Sequence, residues 1–255
     1  MRAIWSGSIS FSLVNIPIKL YSATAGERIS FDLLHAKDLS PIRYAKVCKA
    51  EGEEVAYQDI VKGYEYQKGA YVVMEDEDFE KANARKRSTI DIISFVDETQ
   101  IDTIYYEKPY YLAPEKGSDK AYAVLRAALI KAKKVAVARY VLRSKEKLAV
   151  LKAEGDVIIL NQMRYHDDIR DFQELDLPKI AVEKDEVELA LTLIDRLTRP
   201  FEPQDYDDTY KHELLRIIQD KIEGRRPAAR GEAPKPTPVG DLMSTLKESL
   251  EQVQH

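Results

Sequence analysis

Residues 1–24 read MRAIWSGSISFSLVNIPIKLYSAT. Ile9, Phe11 and Leu13 fall on one side of an extended chain, then Ile16, Ile18 and Leu20 on another. A period of two over this length predicts β-strand with a break. Pro17, which brings no backbone donor, fits an edge or a bulge near the changeover. Ile29, Phe31 and Leu33 continue the alternation. The chain therefore opens in β structure.

Further strands are expected over residues 70–74, 89–96, 104–112, 135–142, 148–152 and 156–162, with Gly155 turning the last two. In residues 89–96, Ile90, Ile92 and Val96 alternate against Ile93 and Phe95. Pro109, among Tyr105, Tyr106, Tyr110 and Tyr111, marks an edge position. Residues 37–69 are polar and less regular, with a short candidate strand around 43–47.

Helices are expected at 76–85, acidic first and basic last, and from an N-cap at Ser118 through Lys133, burying Tyr122, Leu125, Leu129 and Ala132. Two more span 185–197 and 208–222. In these, Val187, Ala190, Leu191 and Ile194, and Leu214, Leu215, Ile218 and Ile222, lie in phase. Residues 224–238 hold Pro227, Pro234, Pro236 and Pro238 and read as a linker. Beyond it Val239, Leu242, Met243, Leu246 and Leu250 form an amphipathic stripe too short to be stable without a partner surface.

The 255 residues carry a net charge of -5, 44% hydrophobic residues, 15 tyrosines and a single cysteine, Cys48. One cysteine excludes an intrachain disulfide. The N-terminus lacks the apolar core of a signal peptide, and the apolar runs are too short to span a bilayer, so a cytoplasmic protein with no membrane partner is expected. The charge is segregated. Residues 1–50 balance at +4, 51–118 at -8, 119–152 at +8 and 153–220 at -10. A fold that gathers the basic stretches on one surface would bind a polyanion there and reject it elsewhere.

The basic block is Lys131, Lys133, Lys134, Arg139, Arg143, Lys145 and Lys147. Lysines and arginines outside any recognition helix favour phosphate contact over base reading, although a solvated face would have the same composition. No phosphate loop, nucleophile elbow or dinucleotide fingerprint is present. Asp167, Asp168 and Asp171 beside His166, and Asp205, Asp207 and Asp208, lack ligand spacing and read as solvated caps. Neither catalytic residues, nor a metal, nor a cofactor is expected. Cys48 has no companion ligands for zinc.

Residues 1–24 resemble the start of the bacterial Ku proteins. Further matches follow in the family's order: IRYAKVC from Ile42, DIVKGYEY from Asp59, FVDETQID from Phe95, YYEKPYYLAP from Tyr105, DKAYAVLRAAL from Asp119, QELDLP from Gln173 and VGDLMSTLKESL from Val239. The resemblance implies a mixed β fold with α. It comprises a β-barrel core over 1–184 with an extended bridge at about 28–69, a helical arm over 185–223 that contacts the partner subunit, a Pro/Ala linker over 224–238, and a C-terminal amphipathic helix over 239–255. It further implies a non-enzymatic homodimer that rings double-stranded DNA ends in the nucleoid, and a tail that recruits the ATP-dependent ligase of non-homologous end joining. For the DNA wall we select, on charge, Lys37, Arg43, Lys46 and Lys49 in the bridge with Arg139, Arg143, Lys145 and Lys147 in the barrel, together with Lys131, Lys133 and Lys134 of the same block. Leu242, Met243, Leu246 and Leu250 are assigned to the ligase.

Two features depart from the family pattern. Glu51 stands where many relatives carry a second cysteine, which argues against zinc. The lysine-rich tail of some relatives has no counterpart before His255. The competing readings are a metal-dependent nuclease using the aspartates and a protein-only scaffold with an incidental basic face.

Overall fold

The computed structural model describes residues 1–25, 29–83, 88–225 and 242–252. Outside the described residues lie Arg28, Arg85, residues 226–241 with most of the expected linker, and the side chain of Leu242. The chain forms two compact units, Met1–Glu174 and Leu175–His255.

The first unit is built on a closed barrel. Its strands are β1 (Trp5–Phe11), β2 (Val14–Ser22), β5 (Thr89–Val96), β6 (Tyr106–Pro114), β7 (Val135–Leu142), β8 (Lys145–Glu154) and β9 (Val157–Met163), in the order β1-β2-β6-β9-β8-β7-β5. The neighbours pair antiparallel except for the closure, where β1 runs parallel to β5 through Ser8↔Thr89, Ile9↔Ile90 and Ser10↔Asp91. Closure leaves no free sheet edge.

The alternation read from β2 holds. Ile16, Ile18 and Leu20 point inward and are buried with Ile9, Ile90, Leu112, Tyr140, Leu151 and Leu160. A barrel this narrow is filled by its own side chains. The break after β1 is a two-residue turn in which Leu13 is fully exposed, so Leu13 does not share the buried side of Ile9. Both internal prolines sit where a donor is not needed. Pairing of β2 with β6 begins at Ile18, one residue past Pro17, and ends at Tyr110, one residue past Pro109. The Pro17 carbonyl, on that same side, accepts from Glu115 N at 3.0 Å.

Helix α2 (Asp119–Ala132) plugs one end of the barrel with Tyr122, Leu125 and Leu129. The Tyr122 hydroxyl donates to the Leu112 carbonyl at 2.6 Å and accepts from Ile158 N at 2.7 Å. Two expectations fail here. Ala132 is exposed. Ser118 occupies the N-cap position without capping, because its hydroxyl lies 2.7 Å from the carbonyls of both Pro17 and Glu115 and donates there. A second apolar cluster lies on the outer face of β7, β8 and β9, where Val135, Val150 and Met163 pack under Val96, Ile101 and Tyr105. Val96 belongs to this outer cluster rather than sharing a side with Ile90 and Ile92. A bulge between Ile92 and Ser94 inserts one residue and flips the phase.

The described residues between β2 and β5 contribute no strand to the barrel. The expected strands at 29–33 and 43–47 are absent there; isolated bridges Leu34↔Pro41 and Val47↔Glu54 replace them. Instead β3 (Lys62–Gln67), not foreseen, pairs with β4 (Ala70–Met74) in a two-stranded hairpin, followed by α1 (Asp76–Asn83). Polar and aromatic residues alternate in β3 without an apolar face, which hides the strand from a hydrophobicity pattern.

The second unit holds α3 (Lys184–Leu197), α4 (Thr209–Ile222) and α5 (Leu242–Gln252). On α3, Val187, Leu191 and Ile194 are exposed. Helix α5 packs against α3, with Met243, Leu246 and Leu250 half-buried and Arg196 Nη1 donating to the Leu250 carbonyl at 2.9 Å.

The closing pair requires glycine at position 7. A Cβ there would meet the carbonyl of Ser88 and the indole of Trp5, while Ser8 N donates to that same carbonyl at 2.9 Å. Gly7→Ala is expected to lower the urea midpoint, at a cost of about 1–3 kcal/mol from overpacking at a backbone contact that cannot yield.

Candidate nucleic-acid interface

The barrel end opposite α2 is open. The β7–β8 turn, the end of β2 and the starts of β1 and β6 surround a cavity of about 480 Å³. Here the side-chain alternation of a hairpin governs which cations face inward. Tyr140 pairs with Lys147 and Leu142 with Lys145, so both lysines share the inner face with the buried Tyr140. Arg143 and Ser144 form the turn, with φ of 52° and 63°, the left-handed pair that a two-residue hairpin demands. Lys108 comes from β6, its Nζ 5.6 Å from the centre of the Tyr110 ring.

One carboxylate enters the same wall. The β6–β9 register skips a residue between Tyr106 and Lys108, and this bulge carries Glu107. Gln162 Nε2 donates to Glu107 Oε2 at 2.7 Å, and Gln162 Oε1 accepts from the Tyr140 hydroxyl at 3.0 Å. Arg143, Lys145, Lys147 and Lys108 enter no ion pair among the described residues. Several cations elsewhere in the basic segments are compensated. Lys134 is 2.7 Å from Asp97, Arg139 3.9 Å from Glu146, Lys152 2.8 Å from Glu98 and Arg43 3.3 Å from Glu54. Uncompensated cations converging on a cavity are suited to an anion.

The structure divides the basic block read from the sequence. Arg143, Lys145 and Lys147 meet at the mouth. Arg139 lies on the outer face beside Glu146. Lys131, Lys133 and Lys134 lie at the far end, before β7; its 8 residues separate the two groups by roughly 25 Å at the usual rise per residue. Lys37, Arg43, Lys46 and Lys49 are exposed in the segment between β2 and β5, and Lys46 Nζ lies 5.1 Å from the centre of the Tyr57 ring. That segment leaves the barrel after Ser22 and returns at Thr89, both at the open mouth, so its two roots flank the free cations. Lys108, Glu107 and Gln162 were not singled out from sequence. Their convergence depends on the β6 bulge, which no periodicity reveals.

The aspartate clusters are caps. Asp168 accepts from Tyr165 N at 3.0 Å, Asp171 from Gln173 N at 2.9 Å, and Asp208 from Lys211 N at 2.9 Å at the start of α4. Among the described residues no group of three or more His, Cys, Asp or Glu side chains could hold a metal ion. No described helix is long and apolar enough to cross a membrane.

A family model described as the Ku70/Ku80 beta-barrel domain matches residues 10–189. The chain belongs to the Ku family. It is similar to the "Non-homologous end joining protein Ku" of Opitutus terrae, at 42% identity over 257 residues covering 99% of this chain and 92% of that one. The protein of the same description from Archaeoglobus fulgidus is 40% identical over 258 residues, covering both chains in full. That from Symbiobacterium thermophilum is 44% identical over 253 residues, and there the chain spans 98% of itself but 63% of its relative. The resemblance first read in residues 1–24 and in YYEKPYYLAP is thereby established across the chain, and the closed barrel is the fold that it implied.

Burial raises the hydroxyl of Tyr140 strongly above its ordinary pKa of 10.0, and those of Tyr110, Tyr122 and Tyr106 less so. At Tyr110, Arg143 opposes the shift. An acid whose folded pKa is raised stabilises the fold while neutral. That contribution is complete below about pH 10 and is lost as pH rises from there through the folded values. The melting temperature is expected to stay level from neutral pH to about pH 9 and to fall above pH 10. Tyr140→Phe should blunt that fall while costing about 1–3 kcal/mol at neutral pH, because the Gln162 oxygen loses its donor.

Proposed function

We propose that the chain binds the ends of double-stranded DNA without reading sequence, as a ring-shaped homodimer in the non-homologous end joining of double-strand breaks. The observation that carries this reading is the set of uncompensated cations at the open mouth, between the two roots of the segment that would bridge the DNA. Phosphate contact needs positive charge at the right spacing and nothing complementary to bases. The names of the relatives point to the same process. The domain plan read from sequence, with barrel and bridge, arm, linker and tail helix, belongs to this proposal, as does action at the nucleoid in the cytoplasm. The role is binding rather than catalysis and calls for no cofactor.

Two uncovered apolar surfaces support a homodimer. One is the exposed stripe of Val187, Leu191 and Ile194 on α3, flanked by Asp185, Glu188 and Asp195. The other is a groove of about 780 Å³ lined by Phe11, Val14, Phe95, Val124 and Ala128, with Lys120 and Lys134 at its rim. A second copy would cover both, and a two-fold arrangement doubles every phosphate contact.

Recruitment of an ATP-dependent ligase is assigned to α5. Because Met243, Leu246 and Leu250 already lean on α3, the ligase would engage the tail either by drawing α5 away or by binding the α3–α5 pair.

Purified protein should bind linear duplex tightly and a covalently closed circle of the same sequence weakly. Across a salt series, log K should fall with a slope of about -0.9 per phosphate contacted. The triple variant Arg143→Glu, Lys145→Glu, Lys147→Glu should lower both affinity and slope, whereas Lys131→Glu with Lys133→Glu should change them little. Equal affinity for circle and linear forms would exclude a ring loaded from ends. Absence of DNA binding would leave a protein-only scaffold. A second prediction separates the tail: Leu246→Asp should spare DNA binding and abolish ligase stimulation, and intact stimulation would remove α5 from that role.

A further inference from the structure

Glu107 runs against the charge of the mouth it lines. A surface that grips phosphate gains from every cation and loses from every carboxylate. Yet Glu107 shares the cavity wall with Lys108, Arg143, Lys145 and Lys147. Two features of the fold hold it there. In a regular strand successive side chains point to opposite faces, so Glu107 and Lys108 could not line one cavity. The β6 bulge between Tyr106 and Lys108 lifts that constraint. The second feature is Gln162, which is almost fully buried. Its Oε1 accepts from the buried Tyr140 hydroxyl at 3.0 Å, which turns Nε2 toward Glu107, and Nε2 donates to Glu107 Oε2 at 2.7 Å. The carboxylate is therefore aimed from a rigid base.

Glu107 enters no ion pair among the described residues, so no single cation cancels it. Burial raises the hydroxyls of Tyr140 and Tyr110 above their ordinary range, Glu107 adds to the rise at both, and Arg143 opposes it at Tyr110. Acid and cation thus act on the same space. Gln162 needs only an acceptor, and a neutral oxygen would also satisfy it while leaving the cations at full strength. The bond to Gln162 therefore does not by itself account for a charge at this position. Motion along the duplex does. A ring that loads at an end must clear that end before the strands can be joined. Each step exchanges one set of phosphates for the next, and a stronger grip makes each step slower. We propose that Glu107 limits the grip of the four mouth cations on phosphate, so that the ring moves along the duplex instead of stopping where it loads. This rests on the DNA-end reading above and goes beyond it, because it assigns a residue whose part is to weaken binding.

The test uses the full chain on linear duplex. Glu107→Gln removes the charge and keeps both the shape and an oxygen for Gln162. It should bind about fivefold tighter, the effect of one unit charge about 4 Å from a phosphate in a water-like medium, and the gain should shrink as salt rises. Followed as single fluorescent molecules on a long stretched duplex, it should diffuse several-fold more slowly than the wild type. Glu107→Asp keeps the charge but shortens the reach to Gln162, and should match the wild type in both measurements, which separates charge from packing. Asp156→Asn makes the same change of charge at the sealed end, where it also frees Arg126, and should alter neither. Equal affinity of the wild type and Glu107→Gln would overturn the proposal. So would tighter binding without slower diffusion, or an equal gain from Asp156→Asn. Failure of the wild type to bind duplex would instead remove the DNA-end reading, and this proposal with it.

Discussion

Closure of the barrel rests on the short parallel pairing of β1 with β5, where Ser8, Ile9 and Ser10 meet Thr89, Ile90 and Asp91. Every other strand contact in the barrel is antiparallel. This one joins segments about eighty residues apart, and it depends on Gly7 having no side chain where the Ser88 carbonyl passes. Closing so long a loop costs little more entropy than closing a shorter one. In return the sheet loses its edges and the interior becomes one continuous core.

The same pairing fixes the functional geometry. Because β5 runs parallel to β1, its first residue lies at the end where β2 stops, so the long segment between β2 and β5 leaves and re-enters at one mouth. Helix α2 fills the other end through the doubly bonded Tyr122 hydroxyl. One end of the barrel is therefore sealed and apolar and the other open and cationic. The β7–β8 hairpin, through its pairing register, turns Lys145 and Lys147 toward that opening.

Ion pairing then decides which basic residues remain available. The segment richest in cations carries a balance of +8 in sequence, yet Lys134, Arg139 and Lys152 are matched by Asp97, Glu146 and Glu98. Exposed pairs of this kind contribute little to stability, a median near 0–1 kcal/mol. Their effect is to remove these three cations from the set available to an anion, while those at the mouth keep their charge. In the second unit the helices form close to where the sequence put them, but the apolar phase read for α3 does not mark its packed side: α3 has two apolar faces. One packs with α5, and the other, through Val187, Leu191 and Ile194, remains open.

Local alternation was enough to find β2, β7 and β9, because in each a buried face repeats every second residue. The family resemblance was legible for a different reason, in long runs such as residues 1–24 and YYEKPYYLAP. Pattern failed where the chain departs from regular periodicity. The bulge at Ile93 moved Val96 to the outer cluster, the bulge at Glu107 aimed a carboxylate into the mouth, and β3 has no apolar face to betray it. Charge along the chain marked the basic block, but it could not tell Lys147 from Lys131. Side-chain direction and ion-pair partners follow from pairing between residues far apart in sequence, and only the closed barrel brings those residues together.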